Sequence, residues 1–562
     1  MTSVCNEAQQ RSKPLVTTFA LLLVLLTFLL RCLDRFVGAG HDDTFITLLA
    51  AEKLAAGDGF VTPNGEPGEI GSSLVHVLLL ALLQKIGVPD LYLANKALGF
   101  LCGSGALLLI VTRRQSLFVE KQSMMPALLA ACLSANLPTY AFWSMGGLET
   151  PIVALLVTWL ATDLLLATPR ACVRTGVCAS LLALVRPEGF VYLGTVLAWG
   201  VAVRRSRRWW YTSLGFPLFV LLLVTVLRWS WLGSPVPLPV LAKVGVGSPV
   251  ERLANGTSYV WAFARASPLG MLVLCVAGVR WVQTGWQLAT GSSTPESLPK
   301  YVAPLLVVST QLSAAAIAGG DWMAYYRFIA PAIPLLCVIL VQFAWDLLDR
   351  VSASPLLRKG GALAWLCAIP WLVVERSGLR PPYMHDTCMQ GSIFNLLDER
   401  LGYSLGERVR RLNHPYFRDE AQLLPFIEGP LHQLLDQRHE ITIATHQMGF
   451  FPYHLRKMLS ERIRLIDTLG IVDPELSRLP APRTPLGLAI GLDPTLFLNP
   501  ESQDPVARAI HARHPDLVYV LRADDHTIEQ LARWGWTLVW NAPEAKIFAH
   551  NSLHHSDSAL AR

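Results

Sequence analysis

The stretch GHDDTFITLLAAEKLAAGDGF, Gly40 to Phe60, decides how the chain is read. It sets two adjacent carboxylates, Asp42 and Asp43, just past the first long apolar run, Leu15 to Leu33. Phe45, Ile46, Leu49 and Ala50 then recur at helical spacing and Gly57 supplies a stop, which predicts a helix lying along a membrane surface. One aspartate at its start is explained as a cap, worth about 1 kcal/mol. Capping does not explain the pair.

The surrounding composition sets the class. Of 562 residues, 52% are hydrophobic and only 16% charged, which points to a polytopic α-helical membrane protein and argues against a soluble enzyme. A net charge of +6 could suggest nucleic acid, but the cations sit in short loops between apolar runs, where membrane topology explains them; no nucleic-acid partner is expected. Nine of the ten cysteines precede residue 376, mostly inside apolar runs, with no CxxC or Cys/His metal spacing. Cys388 alone follows, so the tail cannot hold an internal disulfide. Arg11 and Lys13 ahead of Leu15 to Leu30, with VGAG at Val37 to Gly40, also fit a signal peptide. The many further apolar runs make an uncleaved first helix the simpler expectation.

Those runs are Leu91 to Val111, Pro126 to Phe142, Pro151 to Ala167, Cys172 to Val185, Phe190 to Val203, Tyr211 to Leu232, Ala266 to Val282, Tyr301 to Ala318, Phe328 to Ala344 and Ala362 to Val374, giving about eleven spans with the first. Counting Ser73 to Leu83 as another would place Arg113, Arg114 and Lys121 outside and invert every later loop, so it is assigned to the surface. Every inner loop is then basic. The acidic clusters all fall on the other side: Asp42-Asp43, GGLET (Gly146 to Thr150), RPEG (Arg186 to Gly189) and GGDW (Gly319 to Trp322). The tail, residues 376–562, follows on that outer side and mixes a helix-like SLGERVRRL with β-like EITIAT, DLVYVL and WTLVW, as a small α/β or α+β module would.

Arg186 and Glu188 sit at a bilayer boundary, where charges are costly unless paired or used; a structural ion pair closing a helical hairpin is the plain alternative. Asp321 and Arg327 flank a second outer turn, and Lys243 in VPLPVLAKVG is a lone loop cation of the kind usually just solvated. No nucleotide cradle, Walker motif or HExxH is present. An outward-facing enzyme without nucleotide must draw an activated group from the membrane, most simply a lipid phosphate. A carboxylate would activate the acceptor hydroxyl, and arginine or lysine would hold the leaving phosphate.

The ordered motifs HDDTFITLLAAEKLAAGDGFV, GGLET, LVRPEG, PVPLPVLAKVG, GGDWMAYYRFIAPAIPLL and IDTLGIVDPEL, from about residue 35 to 475, resemble the GT-C glycosyltransferases related to the mycobacterial terminal arabinofuranosyltransferase AftB. The resemblance implies a GT-C membrane domain over 1–375 with periplasmic juxtamembrane helices, and an extracytoplasmic domain over 376–562 in the role of a carbohydrate-binding module. It implies a bacterial inner-membrane enzyme. The donor would be a polyprenyl-phosphate sugar, typically decaprenyl-phosphoryl arabinofuranose, and the acceptor a cell-envelope glycan. Asp42 resembles the family's general base, and Asp43 the neighbour that orients the acceptor or helps bind a divalent cation. Lys243, Arg186 and Arg327 are the candidates for the lipid phosphate; Glu149, Glu188 and Asp321 would shape the sugar and acceptor pocket. The sequence departs from relatives at His41, at Ser72-Ser73-Leu74 and in the Lys243 loop, which bears on the exact donor and acceptor.

The chemistry expected is an inverting single displacement, since phosphate leaves readily and one carboxylate base suffices. A retaining route would need a second, nucleophilic carboxylate. Three rivals stay open: a lipid-linked sugar transporter, a catalytically dead glycan-binding member, and an enzyme using another polyprenyl-phosphate sugar for lipopolysaccharide, capsule or surface-protein glycosylation.

Overall fold

The structure is a computed structural model that describes residues 18–19, 21–33, 42–118, 124–166, 168–203, 205–244, 248–266, 268–290, 298–321, 323, 325–351, 424–446, 448–455, 462–479, 494–521, 523–542 and 545–553. Its contacts divide the chain into two compact units. The first comprises Met1–Ala39, Lys96–Leu221 and Arg252–His414, the second Gly40–Asn95, Leu222–Glu251 and Pro415–Arg562. The expected boundary at 375/376, the run Ala362 to Val374 and the segment SLGERVRRL lie outside the described residues.

Among the described residues, four helices are long and apolar enough to cross a membrane: Leu91–Thr112, Arg207–Leu232, Pro299–Ile317 and Ala330–Leu348. The number rises to six if two bent helix pairs each count as one span. One of these pairs replaces the run read as continuous from Pro126 to Phe142. Met125–Asn136 and Pro138–Met145 meet at 66° because Pro138 has no N–H for an i−4 bond and its ring drives Leu137 to φ −68°, ψ 120°. The hairpin read at Cys172 to Val203 forms as Pro169–Val185 and Val191–Ala202, joined by a 3₁₀ turn at Pro187–Phe190. Thr168 caps its first helix through the Ala171 N–H. Arg174 ties that helix to Thr150–Leu164 by two 2.8 Å bonds to Asp163. The helix Ile333–Val351 is buried over most of its length, whereas Phe216–Leu232 presents Phe219, Leu222 and Trp229 outward, the surface a lipid-facing helix offers.

In the second unit, Asp42–Ala56 packs on Leu74–Lys85. Ser73 caps the latter, and His76 is held by Asn95 Oδ1 at 2.8 Å. Twelve residues reach only about 18 Å, short of the ~30 Å hydrocarbon core, as the surface assignment requires. The tail carries a five-stranded sheet: β1 Ile441–Thr445, β2 Ile463–Asp467, β3 Leu517–Leu521, β4 Trp536–Asn541 and β5 Ala545–His550. The order is β2-β1-β3-β5-β4, with β1 parallel to both β2 and β3, and β5 antiparallel to both β3 and β4. Helices Pro505–His511 and Asp525–Arg533, capped by Asp504 and Asp524, supply Val506, Ile510 and Leu531 to a core with Ile466, Val518, Trp536 and Phe548. The three β-like runs are β1, β3 and β4; β2 and β5 are additional strands.

Candidate active site

In the first unit five of the expected residues come together around one aromatic ring. Arg186 leaves helix Pro169–Val185 in extended conformation, φ −143° and ψ 142°, so its side chain turns away from the helix axis. Its Nε lies 2.7 Å from Glu188 Oε1 and 3.4 Å from Glu149 Oε1. Arg327 Nε lies 2.6 Å from Asp321 Oδ2. Both guanidinium groups lean on Phe328, at 4.3 Å for Arg186 and 5.2 Å for Arg327, and Arg327 also faces Trp143 at 5.9 Å. Arg186, Glu149, Asp321 and Arg327 are all buried. The Nη1 of Arg186 has no hydrogen-bond partner among the described residues. A buried guanidinium donor of this kind is expensive unless a group arrives to accept its hydrogen bond.

The backbone that carries this cluster is strained. Gly319 and Gly320 take φ of +87° and +79°, and a Cβ on Gly320 would stand 2.7 Å from Tyr259 Cβ. Tyr325 and Tyr326 hold φ of +57° and +50°, a conformation costing about 1–3 kcal/mol each in non-glycine residues. The strain is held by Trp143 Nε1 donating to Tyr325 O (3.0 Å), Phe328 N–H donating to Tyr259 Oη (3.2 Å) and Gln311 Nε2 donating to Phe328 O (2.7 Å). Tyr192 Oη donates in turn to Gln311 Oε1 at 2.5 Å. Tyr192 and Gln311 escaped the sequence reading because nothing in an apolar run distinguishes a polar residue that supports a loop from one that faces lipid. Lys96, fully buried in helix Leu91–Thr112, was missed as well, although a lysine inside an apolar helix is itself a signal of function.

In the second unit, Asp42 and Asp43 form the first turn of helix Asp42–Ala56, where the helix dipole favours negative charge. Asp42 does more than face solvent. Its Oδ2 accepts from Gly449 N–H at 3.0 Å and its Oδ1 from Phe450 N–H at 2.7 Å. Burial raises its pKa to about 7; the Phe450 N–H opposes that rise, the charge of Asp43 adds to it, the Gly449 N–H opposes it, and Asp467 adds a smaller push. Asp467, at the end of β2, also stands at about 7, again through burial and despite accepting from Val472 N–H (2.6 Å) and Leu469 N–H (3.0 Å). Lys243 lies on the short helix Leu238–Val244, and its side chain is outside the described residues. Among the described residues no group of three or more His, Cys, Asp or Glu side chains is placed to hold a metal ion.

The chain shares its overall fold with a solved membrane oligosaccharyltransferase. It superposes on the archaeal oligosaccharyltransferase AglB from Archaeoglobus fulgidus, in complex with an inhibitory peptide and a dolichol-phosphate, with a TM-score of 0.52 and 11% identity, over 96% of this chain and 74% of that one. The same oligosaccharyltransferase tethered to an acceptor peptide gives 0.50 and 12%, over 95% and 74%. ArnT from Cupriavidus metallidurans bound to undecaprenyl phosphate gives 0.49 and 14%, over 97% and 98%. No family model and no curated protein matches the sequence.

Proposed function

We propose that this protein is a polyprenyl-phosphate-dependent glycosyltransferase that moves a sugar, D-arabinofuranose by its sequence resemblance, to a cell-envelope glycan on the extracytoplasmic side of a bacterial inner membrane. The observation that carries the reading is the buried pair Arg186 and Arg327, both leaning on Phe328 and paired with three carboxylates, with one guanidinium N–H that has no acceptor among the described residues. Two delocalised, permanent cations suit a phosphate that gains charge as it leaves, and a planar fork binds it in a fixed orientation. The fold match to a protein solved with dolichol-phosphate is in keeping with this chemistry.

In the proposed reaction Asp42 takes the proton of an acceptor hydroxyl. The freed oxygen bonds to the anomeric carbon from the side opposite the phosphate, and the carbon–oxygen bond to phosphate breaks. Polyprenyl phosphate departs with the electron pair and the anomeric configuration inverts. A carboxyl group near pKa 7 is well matched to this task, because the best general base titrates close to the working pH. Arg186 and Arg327 stabilise the phosphate, with Lys243 as a third candidate. Glu149, Glu188 and Asp321 orient the arginines and border the sugar pocket, and Asp43 orients the acceptor or helps hold a divalent cation. Residues 376–562 are proposed as the extracytoplasmic domain that holds glycan.

The test is transfer of radiolabelled arabinose from synthetic polyprenyl-phosphoryl arabinofuranose to an oligosaccharide by the purified protein, with Asp42→Asn alongside. Transfer by wild type that falls to a small residual rate in the variant is the expected result. An inactive wild type redirects the assay to other polyprenyl-phosphate sugars, and failure with every donor refutes the transferase reading.

A further inference from the structure

The tail and the first loop of this chain meet along one face of the helix that begins with Asp42. Asp42, Phe45 and Glu52 stand three and seven residues apart, which stacks them on a single helical stripe. All three are engaged by residues 449–454. Gly449 and Phe450 donate to the Asp42 carboxylate, the Phe450 ring meets Phe45 edge-on at 5.2 Å, Tyr453 stacks obliquely on Phe45 at 5.5 Å, and Tyr453 Oη donates to Glu52 Oε1 at 2.8 Å. Farther along the loop, the Asn64 side chain pairs with β2 as a strand would: Nδ2 donates to Leu465 O at 2.8 Å and Oδ1 accepts from Leu465 N–H at 2.9 Å. The backbones approach so closely that a Cβ on Gly449 would lie 1.8 Å from Asp42 O, inside any permissible contact.

From this geometry we infer that the segment Gly449–Tyr453 is a positioning element of the transferase site, and that the tail is part of the machinery that aims the base as well as a glycan-binding appendage. The inference rests on the assignment of Asp42 as the base. Two N–H donors, one on each carboxylate oxygen, fix the rotation of the Asp42 side chain about its χ angles. Each oxygen keeps a second lone pair, so the carboxylate stays able to accept the proton of a hydroxyl while held. Phe450 and Tyr453 fix the helix that carries it. A displacement of about 1 Å at a reacting group can cost about a hundredfold in rate, so a contact this tight, made by residues 407 and 408 positions away, is a means of setting the rate.

Two variants test it in the full-length protein reconstituted in nanodiscs. Gly449→Ala forces the segment off Asp42. Tyr453→Phe keeps the ring stacked on Phe45 and removes the hydroxyl bond to Glu52, a change mild enough to leave the fold in place. Each is assayed for kcat with polyprenyl-phosphoryl arabinofuranose, for Kd of polyprenyl phosphate, and for hydrogen exchange of the peptide 42–56. The expected result is a kcat lowered about a hundredfold in Gly449→Ala and a few-fold in Tyr453→Phe, an unchanged Kd in both, and faster exchange in 42–56. Because the segment acts through Asp42, adding Gly449→Ala to Asp42→Asn lowers the residual rate no further. Wild-type kcat and exchange in a folded Gly449→Ala protein would overturn the inference, as would an equal loss in the Asp42→Asn background. Should wild type transfer no sugar from any donor, the proposed function fails, and hydrogen exchange alone then decides whether the segment holds the Asp42 helix.

Discussion

Replacing Arg186 by Met separates the proposed phosphate role of the arginine cluster from a purely structural one. The guanidinium is buried, balances Glu188 at 2.7 Å and Glu149 at 3.4 Å, and lies 4.3 Å from the Phe328 ring centre. Removing one partner of a buried ion pair costs about 3–5 kcal/mol, because the carboxylates are left without their counter-charge. Arg186→Met alone should therefore unfold at a markedly lower temperature, and adding Glu149→Gln, which removes one stranded charge, should recover part of the loss. The two changes are in contact, so their effects should not add. Lipid binding gives the sharper measurement. The Nη1 donor, which has no partner among the described residues, would make one charge-assisted bond to phosphate, worth about 1.5–3 kcal/mol. At about 1.4 kcal/mol per decade, Kd for polyprenyl phosphate should rise about 10- to 150-fold in Arg186→Met/Glu149→Gln. Arg186→Lys should fall between, keeping charge but losing the fork and most of the ring contact. The assay is titration of nanodisc-embedded protein with a short-chain polyprenyl phosphate. Wild-type affinity in a folded Arg186→Met/Glu149→Gln protein would refute the phosphate role and leave the cluster as an ion pair that closes the RPEG turn.

Three further outcomes are expected. Asp467 is raised from 3.8 to about 7 by burial, so the folded state keeps a proton that the unfolded chain releases; its contribution is full below about pH 4 and is lost as pH climbs to about 7, and thermal unfolding should show a smaller pH-dependent loss in Asp467→Asn than in wild type, the remainder coming from Asp42. Arg228 makes a bidentate pair with Glu69 at 2.6 and 2.8 Å, and Arg228→Met should destabilise the fold by about 3–5 kcal/mol, visible as a lower midpoint in thermal scans, whereas Arg228→Met with Glu69→Met should lose far less. Asn64→Ala removes two bonds to Leu465 and should cost about 1–3 kcal/mol, with faster hydrogen exchange confined to β2 and the 60–67 loop; a uniform change across the tail would contradict that placement.

How much of this was legible in the sequence follows from the range of the forces involved. Glu149, Arg186, Glu188, Asp321 and Arg327 could be picked out because a charge in an otherwise apolar chain is costly and stands out by composition alone, and the structure pairs the three carboxylates with the two arginines, which both lean on Phe328. The break at Pro138 was readable from local chemistry but was passed over, since an apolar window averages across the proline. β2 and β5 were not readable as strands by alternation: IRLID and AKIFAH are short, and their pairing is decided by neighbours far along the chain. The deepest gap is at the opening stretch. Two aspartates ahead of an apolar helix announce themselves, and the expectation that one merely caps that helix is sound local reasoning. What sets Asp42 apart is a backbone, and a backbone N–H carries no residue identity: Gly449 and Phe450 sit in HQMGFF, a run with no motif to mark it, and bond to Asp42 only because β1 and β2 bring the turn after β1 against the first loop. Sequence can therefore nominate a carboxylate, whereas the raised pKa that suits the base proposed here comes from burial and from charges and N–H groups that only the folded chain assembles.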